Sequence, residues 1–577
     1  KKRGVLMIWA LVLIMLGGVL AGFLHVWLKK RISFFPLLVI EIVLLSVLAV
    51  YLFIAYELGF TIRAMSSFGY SFLMCLITFS HESGYDKIKN EANRVEIEKI
   101  ELNKHSSRVW VDAAFAMTFI GLSVLYFVFN SYDSVWSLIL LYTNAVMICQ
   151  LLKKAVLYRN LEVYFSKETN CIYILSNITA KRYPLSELSE AKLESNVDVL
   201  KLFPLFTMFS TNEDFTTSMG KTLKLVFSGE TVYFNAKNTS WLTTIESREE
   251  KELPSEIAQV EVLPFYHKKN IKRLLGKMYF AISVKGVGAY TTLTVILSLL
   301  KVPIWAITIA VIVFWIFNLY ISDRLLKIAL DVKEIDDPNV LAVADKVLSR
   351  AGISDVKVFQ TEANELNGFA AGANIGRSMI VLTSETLKLP LEAIEAVFAH
   401  EAVHVKKRDV MIGQIIRILA LLVIVLFIYW LYHSLILRNE SLLFYIVFVL
   451  ILFFPLIQSL LLQWMEVRAD HLGAIWLDNG NDQMADGLTA LAVKQDELTY
   501  KAERYNLSNE EKNSSIERDS WFFRFLEFQF MIHPPMYWRI QSLKETGTEW
   551  NMKKIRKWWK ERFYESLPDK KNKMESM

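Results

Sequence analysis

Apolar residues run unbroken along this chain over stretches longer than a globular core element needs. Such runs cover 4–28, 33–57, 110–130, 134–152, 279–300, 302–322, 410–437 and 441–464. Each is close to the roughly 20 residues that cross a hydrocarbon core, so the pattern predicts eight helical spans. A ninth candidate, 66–80, is shorter and follows Arg63, which also suits a buried or interfacial segment. The run at 4–28 follows Lys1, Lys2 and Arg3 in the manner of a secretion signal. It is too long for the apolar core of such a signal, and it reads as a retained anchor. Lys and Arg crowd 84–108 and 153–159, whereas the short loops 131–133 and 438–440 hold only Arg438 between them. Positive charge favours the cytosolic side, which puts the long polar segments there and the hairpin tips outside. The orientation of the amino-terminal end turns on whether 66–80 crosses.

Between the spans the period changes. Over about 153–278, Leu161–Phe165, Ile172–Leu175, Leu223–Phe227 and Thr231–Phe234 alternate as strands do, the last two around a Ser-Gly-Glu turn. These strands predict a small antiparallel β domain whose pattern is similar to the bacterial pleckstrin-homology (PH) fold. A second polar piece follows 302–322 and is interrupted by the apolar hairpin 410–464, so it must sit on the bilayer. The domain plan is therefore 1–152 as an amino-terminal membrane domain of four or five spans, 153–278 as the β domain, 279–322 as a transmembrane hairpin, and 323–577 as a soluble domain split by 410–464.

Composition agrees with a lipid solvent. Of 577 residues, 53% are hydrophobic and only 21% charged, with a mean hydropathy of +0.31. A cytosolic enzyme, a disordered regulator and a secreted disulfide scaffold are excluded on that balance. The net charge of +5 is small for this length and gives no reason to expect a nucleic-acid partner. Cys75, Cys149 and Cys171 are far apart and form no CxxC, so a disulfide framework is not expected.

The chemistry lies in 390–408. Pro390 suits a helix start, Glu392 and Glu395 suit its positive end, and Lys406, Lys407 and Arg408 suit its negative end. His400 and His404, four apart, share one face of that helix, which is the spacing for two imidazoles on one tetrahedral zinc. Glu401 beside them is placed to act on water. A third ligand is required, and Glu466, just past the returning span, is the leading candidate, with His471 and His533 as rivals. Asp470, four residues further along the same face, is placed to orient a ligand histidine. His404 lies six residues before Val410 and Glu466 two residues after Trp464, so two crossings return Glu466 to the side of His404. At 1.5 Å per residue, His404 lies on the order of 10 Å from the start of the apolar run, which puts the site at the membrane surface.

His400-Glu401-x-x-His404 followed by Glu466-x-x-x-Asp470 after a hairpin resembles the integral-membrane zinc metallopeptidases of the HtpX and CAAX prenyl protease type. The resemblance covers about 279–577 and extends to Asn367-Gly368-Phe369-Ala370, where Gly368 stands in place of the usual Ala, to Ser378–Thr383, and to His533-Pro534-Pro535 with Arg539. It implies a multi-pass helical membrane protein with a cytosolic α+β zincin-like peptidase domain beside the PH-like domain. It further implies one zinc per chain on His400, His404 and Glu466, Glu401 as general base, and Asn367, His533 and Arg539 as substrate-binding or oxyanion-assisting residues. Arg539 also suits a structural ion pair near the zinc. The implied substrates are membrane proteins or membrane-held peptides, cut at the cytosolic face of the cell membrane. The alternative is a membrane sensor or regulator whose output is the peptidase domain.

Overall fold

The computed structural model describes residues 2–568 apart from 30, 82–83, 130–134, 204–205, 210–211, 240, 243–257, most of 282–299, 372–377, 434–439, 508–513 and 546–549. The chain divides into two units. The first comprises Lys1–Val197, Asn212–Pro264 and Ala502–Asn509, and the second Asp198–Thr211, Phe265–Lys501 and Glu510–Met577.

The first unit opens with helices α1 (Lys2–Leu28), α2 (Phe34–Ala55), α3 (Leu58–Phe79), the short α4 (Tyr85–Ala92), α5 (Ser107–Phe129) and α6 (Val135–Asn160). Among the described residues six helices are long and apolar enough to cross a membrane, five of them here and the sixth at Trp305–Ala329. The segment 66–80 thus belongs to a full-length apolar helix, α3. Its polar residues obscured this in the sequence, because packing hides them. Ser67, Ser71 and Cys75 are buried, and a Cβ added to Gly18 of α1 would lie 2.1 Å from Ser71 Oγ and 2.5 Å from the Phe68 carbonyl oxygen. Small residues let the two backbones approach, and Ser71 Oγ donates within its own helix, to Ser67 O at 2.8 Å. The predicted span 279–300 falls mostly outside the described residues.

Two sheets form the soluble part of this unit. One has the order β1-β2-β3-β4, from Glu98–Ile100, Glu162–Ser166, Cys171–Leu175 and Ala180–Pro184. The other has the order β6-β8-β7-β5-β9, from β5 (Leu188–Glu194), β6 (Asn212–Phe215), β7 (Thr222–Phe227), β8 (Thr231–Phe234) and β9 (Ala258–Val260). The expected hairpin is present: Val226 faces Thr231, and Gly229 supplies the positive φ of 86° the turn requires. The sheets are not wholly antiparallel, since β6 runs parallel to β8 and β9 parallel to β5. Alternating Val163, Phe165, Ile172, Ile174, Leu223, Leu225, Val232 and Phe234 fill the core.

Two parts of this core were not foreseeable from local pattern. Strand β1 comes from the charged stretch before α5, and Tyr505 comes from beyond the end of helix Gly480–Arg504. Tyr505 is 1% exposed, packs its ring against Tyr183 and Phe227, and its hydroxyl proton lies between two acceptors, Glu187 Oε2 at 2.6 Å and the Ser228 carbonyl oxygen at 2.8 Å. Helix α6 also runs two turns past its apolar run, which carries Lys154 to Asp214 Oδ2 at 2.6 Å. Arg108 Nη2 donates to the same oxygen at 2.8 Å.

In the second unit, β10 (Lys333–Glu334), β11 (Lys357–Thr361), β12 (Gly368–Ala371) and β13 (Met379–Thr383) form a sheet in the order β10-β11-β13-β12. Among the described residues strand β12 is an edge, paired antiparallel with β13 only, Gly368 facing Leu382. The helix Pro338–Ala351 starts on an Asp337 cap, whose side chain accepts from the amides of Asn339 and Val340, and stops at Gly352 with φ 65°. The motif helix Leu391–Lys407 lies in the core between this sheet and the returning helix Glu440–Ala474. Val347, Ile380, Leu382 and Phe398 are fully buried there, each contributing about 1.5–3 kcal/mol by burial. Gly473 permits the close contact of the returning helix, since a Cβ there would stand 2.9 Å from the Ala399 carbonyl oxygen.

Candidate metal centre

Residues Ala393–Val403 of the motif helix are buried without a break, which is why the motif reads as apolar around its polar letters. His400 and His404 project from successive turns toward Glu466 of the returning helix. The three side chains offer donor atoms all within 4.8 Å of one another. The Nε2 atoms of the two rings are 3.1 Å apart. Glu466 reaches both, Oε2 at 3.3 Å from His400 Nε2 and Oε1 at 3.4 Å from His404 Nε2.

The other nitrogen of each ring is already committed. His400 Nδ1 lies 2.9 Å from Asp470 Oδ1, and His404 Nδ1 lies 2.8 Å from Asp409 Oδ2. With Nδ1–H donated to a carboxylate, each neutral ring turns an Nε2 lone pair inward. Two such lone pairs at 3.1 Å repel unless positive charge lies between them. Burial alone would lower both imidazole pKa values. The carboxylates outweigh it, Asp470 and Glu466 pushing His400 up to about 9 and Asp409 and Glu466 pushing His404 up to about 10. Burial would raise Glu466, but His533, His400 and His404 hold it well below the usual range. The pocket favours positive charge.

The donor set fits zinc. Bond lengths near 2.0–2.2 Å in a tetrahedron put neighbouring donors about 3.3 Å apart; here the two Nε2 atoms are 3.1 Å apart, and each has a separate Glu466 oxygen nearby, Oε2 at 3.3 Å from His400 and Oε1 at 3.4 Å from His404. Glu466 Oε2 is buried without a hydrogen bond of acceptable geometry, although His533 Nδ1 stands 2.8 Å away. Proximity without bonding geometry leaves that oxygen free to ligate. A tetrahedral ion held by two nitrogens and one oxygen would have room for one further ligand.

Around the donors lies a ring of charge. Asp470 is held by Arg539, whose Nε donates to Oδ2 at 2.8 Å and Nη2 to Oδ1 at 2.7 Å. Burial would raise Asp470, and Arg539 and His400 keep it low. Arg539 is 6% exposed and also stands 3.7 Å from Glu466 Oε2, so its guanidinium is occupied by an ion pair. Asp409 is paired in turn with Arg468. Asp409 was missed in the sequence. The chain doubles back because Arg408 takes a left-handed φ of 55°, a conformation that a non-glycine residue does not advertise. The available signal was an acidic residue immediately after a basic helix end.

The remaining candidates separate. Glu401 is buried on the motif helix, its Cγ 3.7 Å from where a Cβ on Gly368 would lie, so β12 runs past the proposed base. Ala at 368 would press on Leu382 Cδ2 and Val397 Cγ1, at 2.8 and 2.9 Å. Asn367 is fixed through its backbone: its amide donates to Thr386 Oγ1 at 2.9 Å, and its carbonyl accepts from the Thr383 amide at 3.0 Å. Its side chain is exposed, and among the described residues it makes no contact with the His400 cluster. His533 is exposed at the rim and touches Glu466. His471 is buried beside Trp550 and stands outside the donor group. Burial and Lys554 push it down to about 4.

Comparison with known proteins bears on both soluble parts. Residues 334–547 match peptidase family M48. The M48 segment thus covers the edge strand, the motif helix, the hairpin and the His533 rim. A bacterial PH domain matches residues 162–249. A protease HtpX homolog of Pelotomaculum thermopropionicum is 33% identical over 104 residues, 17% of this chain and 37% of that protein. Protease HtpX homolog 1 of Saccharolobus solfataricus is 28% identical over 152 residues, 26% of this chain and 49% of its own length. The chain therefore spans between about a third and a half of these curated relatives. The crystal structure of S. mikatae Ste24p aligns with 47% of this chain and 66% of its own, at 16% identity and a TM-score of 0.36. In its M48 segment the chain resembles the protease HtpX homologs. The chain is a membrane protein in which one segment matches peptidase family M48 and another matches a bacterial PH domain.

Proposed function

We propose that the protein is a zinc-dependent endopeptidase embedded in the cell membrane by eight or nine spans, cutting membrane proteins or membrane-held peptides at the cytosolic face. The observation that carries this reading is the convergence of His400, His404 and Glu466, with both histidines oriented by buried carboxylates. The proposed plan assigns 1–152 to membrane anchoring, 153–278 to the PH-like domain, 279–322 to a transmembrane hairpin and 323–577 to a zincin-like peptidase. Zinc held by His400, His404 and Glu466 would supply Lewis acidity, activating water and taking up charge that develops on a peptide carbonyl. Glu401 accepts the proton as water attacks and returns it to the leaving amine. Asp470 and Asp409 fix the tautomers of His400 and His404, and Arg539 fixes Asp470. His533 at the rim and Asn367 at the start of β12 contact the substrate. The free edge of β12 pairs with its extended backbone, which favours unfolded segments.

The ligand assignment is tested by Glu466→Ala in the full chain. Wild type is expected to hold one zinc per chain, and the variant to bind it far more weakly in a competition titration. Unchanged affinity would move the third ligand to His533 or His471.

A further inference from the structure

The carboxyl-terminal part of the second unit contains two short helices, Trp521–Phe530 and Met552–Glu565, which the metal centre does not use. Each turns one face inward. Phe528 and Trp558 are buried with Val467 and Trp538, and Arg524 Nε ties the helices together by donating to the Glu565 carbonyl oxygen at 3.0 Å. Their outward faces are aromatic and open: Trp521, Phe522 and Phe523 are 44%, 50% and 55% exposed, and Trp559, Phe563 and Tyr564 are 54%, 61% and 66% exposed. In the second helix Met552, Arg556, Trp559, Lys560 and Phe563 follow helical spacing, so basic and aromatic side chains share the exposed face. An aromatic surface this continuous is costly in water and marks a binding face.

The level of this face along the returning helix identifies what covers it. Ser459 Oγ donates to the Gln529 carbonyl oxygen at 2.5 Å, and Gln463 Nε2 to the Glu527 and Met531 carbonyl oxygens at 2.9 Å each. Arg562 donates to Gln463 Oε1 at 2.7 Å and to Ser459 Oγ at 3.1 Å. Ser459 lies within the apolar run that ends at Trp464, roughly 8 Å back from that end at 1.5 Å per residue. The two helices are thus pinned at the depth where a bilayer passes from hydrocarbon to headgroups. Trp and Tyr partition to that zone, and Lys and Arg find anionic headgroups there.

We propose that helices Trp521–Phe530 and Met552–Glu565 form an interfacial collar, their aromatic faces embedded among lipid headgroups and their basic residues paired with anionic lipid. The collar rests on the reading that the returning helix spans the bilayer, and it is independent of catalysis. It seats His533, which follows the exposed Met531 and Ile532, at the lipid surface, so that peptides lying in the membrane reach the metal centre without leaving it.

The test places single nitroxide labels at Phe522→Cys and Phe563→Cys in full-length protein reconstituted in vesicles containing phosphatidylglycerol. The native Cys75, Cys149 and Cys171 are all buried, and unsubstituted protein serves as the labelling blank. Val423→Cys, 66% exposed in the hairpin helix Asp409–His433, is the lipid control, and the exposed Gln541→Cys is the aqueous control. Collisions with oxygen and with a water-soluble nickel chelate are then measured. The collar is expected to give high oxygen and low nickel collision rates at 522 and 563, approaching the Val423 label. Rates at both positions equal to those at Gln541 would overturn it. Shielding from both reagents would overturn it too, because a protein partner or second copy would then cover the face. An aqueous Val423 label would reject the span itself, and the collar with it.

Discussion

Replacing Glu401 by Gln is expected to lower cleavage of an unfolded membrane substrate by about 10²–10⁴-fold, the range for loss of a positioned general base. Zinc content should remain at the wild-type level. The reasoning is geometric, since the three donor atoms that lie within 4.8 Å of one another come from His400, His404 and Glu466. The amide keeps the size of the carboxylate, so β12 and the motif helix keep their contact beside Gly368. Full activity in the variant would reject Glu401 as the base. Zinc loss would show that Glu401 belongs to the ligand set.

The second large effect is expected at Arg539, and it falls on stability and metal affinity together. Arg539→Met preserves bulk but leaves Asp470 buried without its guanidinium, and Glu466 loses a cation 3.7 Å away. Breaking a buried pair from one side costs about 3–5 kcal/mol. Loosening a carboxylate that orients a ligand costs about 10–100-fold in metal affinity. Thermal unfolding and zinc titration of the full chain measure both. Adding Asp470→Asn to Arg539→Met should recover part of the stability, because no uncompensated charge then remains, while zinc binding stays weak. Wild-type stability and affinity in the single variant would return Arg539 to the role of a free substrate-binding residue.

The candidate metal site was legible in the sequence because its elements are local and regular. His400 and His404 share a face by helical period, and the helix Glu440–Ala474 returns Glu466 beside them, as the reading of 410–464 as a hairpin expects. Asp409 was hidden by a left-handed Arg408, which no periodicity signals. Arg539 was placed near the site by resemblance, but its bond to Asp470 depends on how Met536–Glu545 packs, which sequence spacing does not encode. The same division holds for the fold. The hairpin β7-β8 follows from alternation and a Gly229 turn. Helix α3 was under-read because Ser71 and Cys75 are masked by packing on Gly18 and Gly22, a property of a neighbouring helix. Tyr505, more than 300 residues from Glu187, completes the PH-like core through a contact that has no local trace. Its presence means that the isolated stretch 153–278 lacks part of its own interior.

In the proposed function a zinc ion held by His400, His404 and Glu466 drives peptide hydrolysis at the membrane surface. That role is tested most directly by measuring zinc per chain and substrate cleavage together, in the reconstituted full-length protein, before chelation, after it, and after zinc is restored. One zinc per chain is expected at the start, cleavage should vanish as that zinc is removed, and restoring one equivalent should bring both back. Undiminished cleavage by metal-free protein would contradict the account.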